Sequence, residues 1–204
     1  MPKETFFNLP EAKKERVIDA ALEEFARYPY YKASITRIVK RADIAKGSFY
    51  QYFSDKKDLF IYIIDLIMEK KMDYLESVLE KKDNLDFFVL LREIYLAGIK
   101  FARNHPRLSQ IGIKLFKNPE QSILDEIMED QRETSINFFK KLLLKGKNKG
   151  DIDEKINIEL TAHILTNINN SLGEFIYKDE EINYNDMKII DKMLYIIENG
   201  IGVD

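Results

Sequence analysis

The chain has 204 residues, 45% of them hydrophobic and 33% charged, with no Cys and two His. That composition gives a soluble globular protein of one large domain or two small ones and excludes a disordered tail or a fibre. Absent Cys excludes disulfides, thiolate metal sites and cysteine nucleophiles and fits a reducing, cytoplasmic interior, while the net charge of −3 speaks on its face against a polyanion such as DNA.

No stretch approaches the ~18 to 20 apolar residues of a membrane span, and the opening MPKETFFNLPEAKKER lacks the apolar core of a signal peptide. The net charge conceals an asymmetry. Residues 1–57 hold twelve Lys or Arg against eight Asp or Glu, a net +4, and the remainder carries −7. A basic segment followed by an acidic body suggests two units with different partners.

The periodicity is helical throughout, and nine helices are expected. Pro10 can occupy a first helical turn, followed by Val17, Ala20, Ala21 and Phe25 on one face, and the helix stops before Pro29. Ser34 is placed as N-cap of a short helix over 35–42 with the stripe Ile35, Ile38, Val39 and Ala42. A second short helix runs over 46–53, with Phe49 and Phe53 one turn apart on the same side. Asp55 with Asp58 resembles a carboxylate capping box and opens a long helix to about Lys81. Asn84 is expected to cap a helix over 85–104, apolar on most sides. Pro106 starts a short helix to about Phe116, and Asn118 and Pro119 open a long one ending in the loop 146–150. Two more follow, over 156–177 and 184–199, the last closed by Gly200.

Two short helices joined by a sharp bend form the helix-turn-helix arrangement, whose second helix enters the major groove. Asp43 sits where the chain reverses, and Asp tolerates left-handed backbone. In the second helix Phe49 and Phe53 face inward. Lys46, Ser48, Tyr50 and Gln51 point elsewhere and offer a cation, two hydroxyls and an amide to phosphates or base edges. Gly47 lets backbone approach a phosphate. From these residues alone, an ordinary helical hairpin with half-buried tyrosines is an equal reading.

The stretch from about Pro10 to Phe60, above all Ile38 to Phe53 followed by Lys56 and Asp58-Leu59-Phe60, resembles the DNA-binding domain of the tetracycline-repressor (TetR) family of bacterial transcriptional regulators. The resemblance implies an all-α fold in which residues 1–55 form the helix-turn-helix domain and 56–204 an effector-binding and dimerisation domain. It matches Tyr50 to the family's backbone-contacting aromatic and Lys56 to its phosphate-binding lysine. Lys46, Ser48 and Gln51 match positions that reach bases or phosphates, and Ser34 and Arg37 match positions flanking the groove. With Gly47 and Tyr52 these nine residues are the candidate DNA-contacting set. The sequence departs from the family pattern at Asp43 (usually Gly), Pro29 (usually Gly) and Ala45 (usually Ser or Thr), the last costing the helix about 0.5 to 2 kcal/mol.

A short recognition helix reads few base pairs, so specificity needs two copies about one DNA turn apart, which predicts a homodimer on a palindromic operator. Its expected interface is the pair of C-terminal helices, through Ala162, Leu165, Asn169, Leu172, Gly173, Ile190 and Leu194. An intramolecular core is the other reading of those residues. The resemblance also implies a small apolar or amphipathic effector. Its candidate contacts are Met68, Met72, Phe88, Tyr95, Phe116, Met128, Phe138 and Asn167, each of which suits plain core as well. His105 is read as a connector residue and His163 as a core or interface histidine. No phosphate loop, nucleophile elbow or HExxH occurs, so neither an enzyme nor a metal or cofactor site is expected. The expected function is a ligand-responsive repressor with no membrane partner; the alternative is a helical interaction module that does not read DNA.

Overall fold

The computed structural model describes residues 1–80, 84–117, 122–176 and 187–202, without the side chains of 116, 117, 122–128, 170, 173–176 and 187. The fold is all-α. Among the described residues the helices are α1 (Glu4–Phe7), α2 (Glu11–Arg27), α3 (Ile35–Arg41), α4 (Lys46–Tyr52), α5 (Lys56–Leu79), α6 (Phe87–Asn104), α7 (Pro106–Lys117), α8 (Ser122–Lys149), α9 (Ile158–Ile176) and α10 (Met187–Ile201). The helix beyond the nine expected is α1. The chain divides into two compact units, Met1–Lys71 with His105–Asp125, and Met72–Asn104 with Glu126–Asp204. The expected boundary near residue 55 falls inside the first of them.

In the first unit α2 packs on α3 and α7, and α1 on α4. Its core is aromatic. Phe6, Phe25, Phe49 and Phe53 are fully buried with Ile38, Leu59, Ile63 and Ile111, and ring centroids lie 4.8 Å apart for Phe6 with Phe53 and for Phe25 with Phe60. Edge and tilted ring packings of this kind add to the burial itself. At the start of α5, Asp55 Oδ1 accepts from the Asp58 backbone N–H at 2.8 Å, which is half of the expected capping box. The other half is displaced by one residue, because Asp58 Oδ2 accepts from the Ser54 N–H at 3.0 Å.

The second unit has an aliphatic core. Leu90, Leu91, Leu143, Ile152, Leu165 and Ile190 are buried there with Phe87, Tyr95 and Phe139. Gly146 on α8 is required by packing, since a Cβ at that position would lie 2.8 Å from Ile152 Cδ1 and 3.0 Å from Phe87 Cβ. Gly150 closes the helix with a φ of +83°, the left-handed conformation that favours glycine after a helix end. Three expected ends are corrected. Asp86, not Asn84, caps α6, its Oδ1 accepting from the Phe88 N–H at 2.8 Å. Asn157 caps α9 by accepting from the Leu160 N–H at 3.0 Å, so α9 starts two residues after Ile156. The helix α10 runs through Gly200 to Ile201, where Gly202 N–H reaches Glu198 O at 2.7 Å.

Candidate nucleic-acid interface

The helices α3 and α4 are held to the first unit by one face each. Ile38 and Val39 are buried from α3 with Ala42 just beyond it, and Phe49 and Tyr52 from α4 with Phe53 just beyond that. The chain reverses at Asp43, whose φ is 53°, and the Ile44 N–H donates to Val39 O at 3.1 Å across the turn. The left-handed turn expected at Asp43 is therefore present. With one side of α4 fixed, its other side is left to solvent: Lys46, Gly47, Tyr50 and Gln51 are exposed and Ser48 half-buried. A Cβ at Gly47 would meet no atom within 4 Å, so packing within the chain does not demand glycine there.

The remaining candidates are placed differently. Tyr52 is 5% exposed, its ring lying against Phe6 at 6.2 Å and beneath the Lys13 ammonium at 5.7 Å. Its position two residues after Tyr50 turns it away from the exposed face, and the expectation that placed it among the contacting residues is corrected. Ser34 does not cap α3 through its side chain. Its backbone N–H instead donates to Glu24 Oε1 at 2.8 Å. The same buried carboxylate takes the Arg37 guanidinium, with Nε 2.9 and 3.0 Å from the two oxygens. Arg37 also donates to Lys32 O at 2.7 Å and stacks on the Tyr28 ring at 4.3 Å. Lys56 Nζ donates to Tyr30 O at 2.7 Å and Ala33 O at 3.0 Å and sits 4.5 Å from the Tyr30 ring centroid. Burial pushes its ammonium below the ordinary lysine value, and the charge of Glu24 opposes that shift. Arg37 and Lys56 thus brace the segment between α2 and α3, leaving Lys46 as the exposed cation of α4. Lys40 and Arg41 are exposed at the end of α3.

Of the candidate effector residues, Met68 belongs to the first unit and is half-buried. In the second unit Phe88 and Phe138 pack against the core that buries Tyr95, while Met72 and Asn167 are exposed. Asn167 shares a face of α9 with the exposed Leu160 and Ile164, which removes it from any interior lining. Phe116 and Met128 lie outside the described side chains. The Tyr95 hydroxyl is buried without a hydrogen-bond partner, and burial raises its phenol well above the ordinary value, so it remains a neutral donor.

The expected interface is likewise corrected in part. Ala162, Leu165, Ile190 and Leu194 are buried in the chain's own core and have no surface left to offer. Asn169 and Leu172 are half-buried, and Gly173 lies outside the described side chains. The opposite faces of the same helices expose Leu160 and Ile164 from α9 and Tyr195 and Ile196 from α10, the last at 72%. His163 faces Glu159 Oε1 at 3.5 Å, and Glu159 is held below the ordinary carboxylate range by Lys140, 2.6 Å away, ahead of His163. Among the described residues no group of His, Asp and Glu is arranged to hold a metal ion, and no helix is long and apolar enough to cross a membrane.

A short helix after a left-handed turn, buried on its aromatic side and polar on its exposed side, defines a helix-turn-helix regulator. Residues 17–63 match the family described as "Bacterial regulatory proteins, tetR family". A TetR family transcriptional regulator from Chloroflexus aurantiacus is 33% identical, with a TM-score of 0.75 and both chains covered completely. The chain belongs to the TetR family and is a transcriptional regulator, not an enzyme. It is also 23% identical to the Fatty acid metabolism regulator protein of Bacillus subtilis over 93% of this chain and 95% of that one. The FadR regulator of B. subtilis, solved in complex with stearoyl-CoA, shares the fold with a TM-score of 0.70 at 19% identity, covering 88% of this chain and 96% of that one.

Proposed function

We propose that the protein is a ligand-responsive repressor that binds a palindromic operator as a homodimer and is released by a small apolar or amphipathic effector. The observation that carries this reading is the exposed face of α4. Lys46, Ser48, Tyr50 and Gln51 project from a helix whose opposite face is anchored by Phe49 and Phe53, so a cation, two hydroxyls and an amide are presented on a rigid support. Lys46 and Tyr50 take phosphate contacts, Ser48 and Gln51 reach base edges, and the backbone at Gly47 comes close to the duplex. Ser34, Arg37 and Lys56 hold the entry to α3 in place, with the third Lys56 donor directed to a phosphate. The reader ends near residue 55 and the remainder responds and dimerises.

Leu160 and Ile164 on α9 and Tyr195 and Ile196 on α10 support dimerisation, because large apolar side chains left exposed on these helices are what a second copy would cover. The buried, unpartnered Tyr95 hydroxyl supports an effector that combines an apolar body with one hydrogen-bond acceptor. The stearoyl chain of the ligand solved with the similar FadR protein is an apolar body of that kind. Release needs an effector that prefers the non-binding conformation; a swing from 1:99 to 99:1 takes about 5.5 kcal/mol of differential affinity.

The test is DNA affinity as a function of salt for the parent and the Lys46→Ala and Gln51→Ala variants. Affinity should fall with a log–log slope of about −0.9 per neutralised phosphate. Lys46→Ala should flatten that slope by about one contact, and Gln51→Ala should relax sequence preference. Binding that ignores salt and both substitutions would leave a helical interaction module that does not read DNA.

A further inference from the structure

We infer that residues 3–6 cap and clamp the C-terminal end of α4, making Lys3 and Thr5 positioning residues for the DNA-facing side chains Tyr50 and Gln51. This rests on the reading of α4 as the recognition helix. An α-helix leaves its last four carbonyls without intrahelical donors, and in α4 these belong to Phe49, Tyr50, Gln51 and Tyr52. Phe49 O is satisfied by the next residue outside the helix, Phe53 N–H at 2.8 Å. The other three are taken by the N-terminal segment. Lys3 Nζ donates to Tyr50 O at 2.8 Å, Thr5 Oγ1 donates to Gln51 O, and the Lys3 backbone N–H donates to Tyr52 O at 2.8 Å.

Three further observations make this a built device rather than a chance contact. At its other end α4 has Ala45 as N-cap and no side-chain cap, so a seven-residue helix depends on its C-terminal end for order. The Lys3 ammonium brings positive charge to the negative end of the helix dipole. Phe6, fully buried, fixes the segment by packing on Phe53 at 4.8 Å and on Tyr62 at 5.5 Å. The bonded carbonyls belong to the turn that carries Tyr50 and Gln51, so the segment sets where those two side chains point. Base-edge contacts demand that placement, whereas phosphate attraction tolerates its loss.

The test compares the parent chain with Thr5→Val, which removes the hydroxyl at nearly constant volume, and with Thr5→Ser, which restores it. Two duplexes are used: the sequence the parent enriches from a random pool, and unselected random DNA. Thr5→Val should weaken binding of the enriched duplex about fivefold and leave random-duplex binding within about twofold, with Thr5→Ser returning the parent value. Amide hydrogen exchange within α4 should accelerate in Thr5→Val while that of α2 stays unchanged. An unaltered ratio between the two duplexes, or a proportional fall in both, overturns the inference, as does unchanged exchange in α4. If the parent enriches no sequence, the recognition-helix reading fails first, and the exchange measurement still decides whether the cap exists.

Discussion

In the first unit the carboxylate of Glu24, the guanidinium of Arg37, the ammonium of Lys56 and the terminal carbonyls of α4 all have partners within the chain. A buried hydroxyl without a partner occurs in each unit, Ser109 in the first and Tyr95 in the second, but the second also leaves Leu144, Leu160, Ile164 and Ile196 large and exposed. A buried unpaired hydroxyl and an uncovered apolar face each carry a free-energy cost. On the proposed reading, the polar groups around α3 and α4 are braced before a duplex arrives, as positioning of base-reading side chains requires. The second unit keeps exposed apolar side chains and a buried unpaired hydroxyl, which on the same reading a second copy and an effector would satisfy.

The contrast can be broken at adjacent residues. Leu165→Ala opens a cavity in the second unit's core and should cost about 2 to 5 kcal/mol in denaturant unfolding. Ile164→Asp combined with Ile196→Asp lies on the opposite face and should halve the mass in solution while far-UV helicity persists; an unchanged dimer would move the interface elsewhere. A smaller change is expected for Tyr95→Phe, which deletes the orphaned hydroxyl. It should leave stability unchanged or raise it by about 1 kcal/mol while weakening the response to an amphipathic effector. The smallest effect is on pH dependence. Burial works to raise the Asp58 carboxyl, but hydrogen bonds from the Met1 amino group and Ser54 outweigh it and hold the group below its ordinary 3.8. A depressed carboxylate stabilises the fold at neutral pH, and that contribution disappears as pH falls through the lowered value. Asp58→Asn should therefore flatten the acid limb of a stability profile measured from pH 6 to about pH 2.

The reader was legible in the sequence because its signals are local. The left-handed turn at Asp43, the Phe49 and Phe53 spacing and the Asp55 cap each follow from a few neighbouring residues, and each is present. The helix α1 was not legible, since four residues make no periodicity; the adjacent Phe6 and Phe7 were the available signal. Arg37 and Lys56 were assigned to the groove flank and to a phosphate by the family resemblance; the bonds they make within the chain were not legible, because their partners Glu24, Tyr30 and Ala33 are distant in sequence. Four of the residues assigned to the interface turned out to be core for a different reason. The helix α9 is apolar around most of its circumference, so Ile164 and Leu165 look alike in sequence. Only the packed core shows that Leu165 is used internally and Ile164 is left over.

Recovery of duplexes from a random pool by the purified 204-residue chain, with the mass of the bound species measured on the winning sequence, decides whether α4 reads DNA as part of a dimer. The expected winner is a palindrome whose half-sites are centred about one helical turn, ~34 to 36 Å, apart, bound by two copies of the chain and lost in Tyr50→Ala with Gln51→Ala. A pool with no enriched sequence, or a winning site indifferent to those two residues, would contradict it.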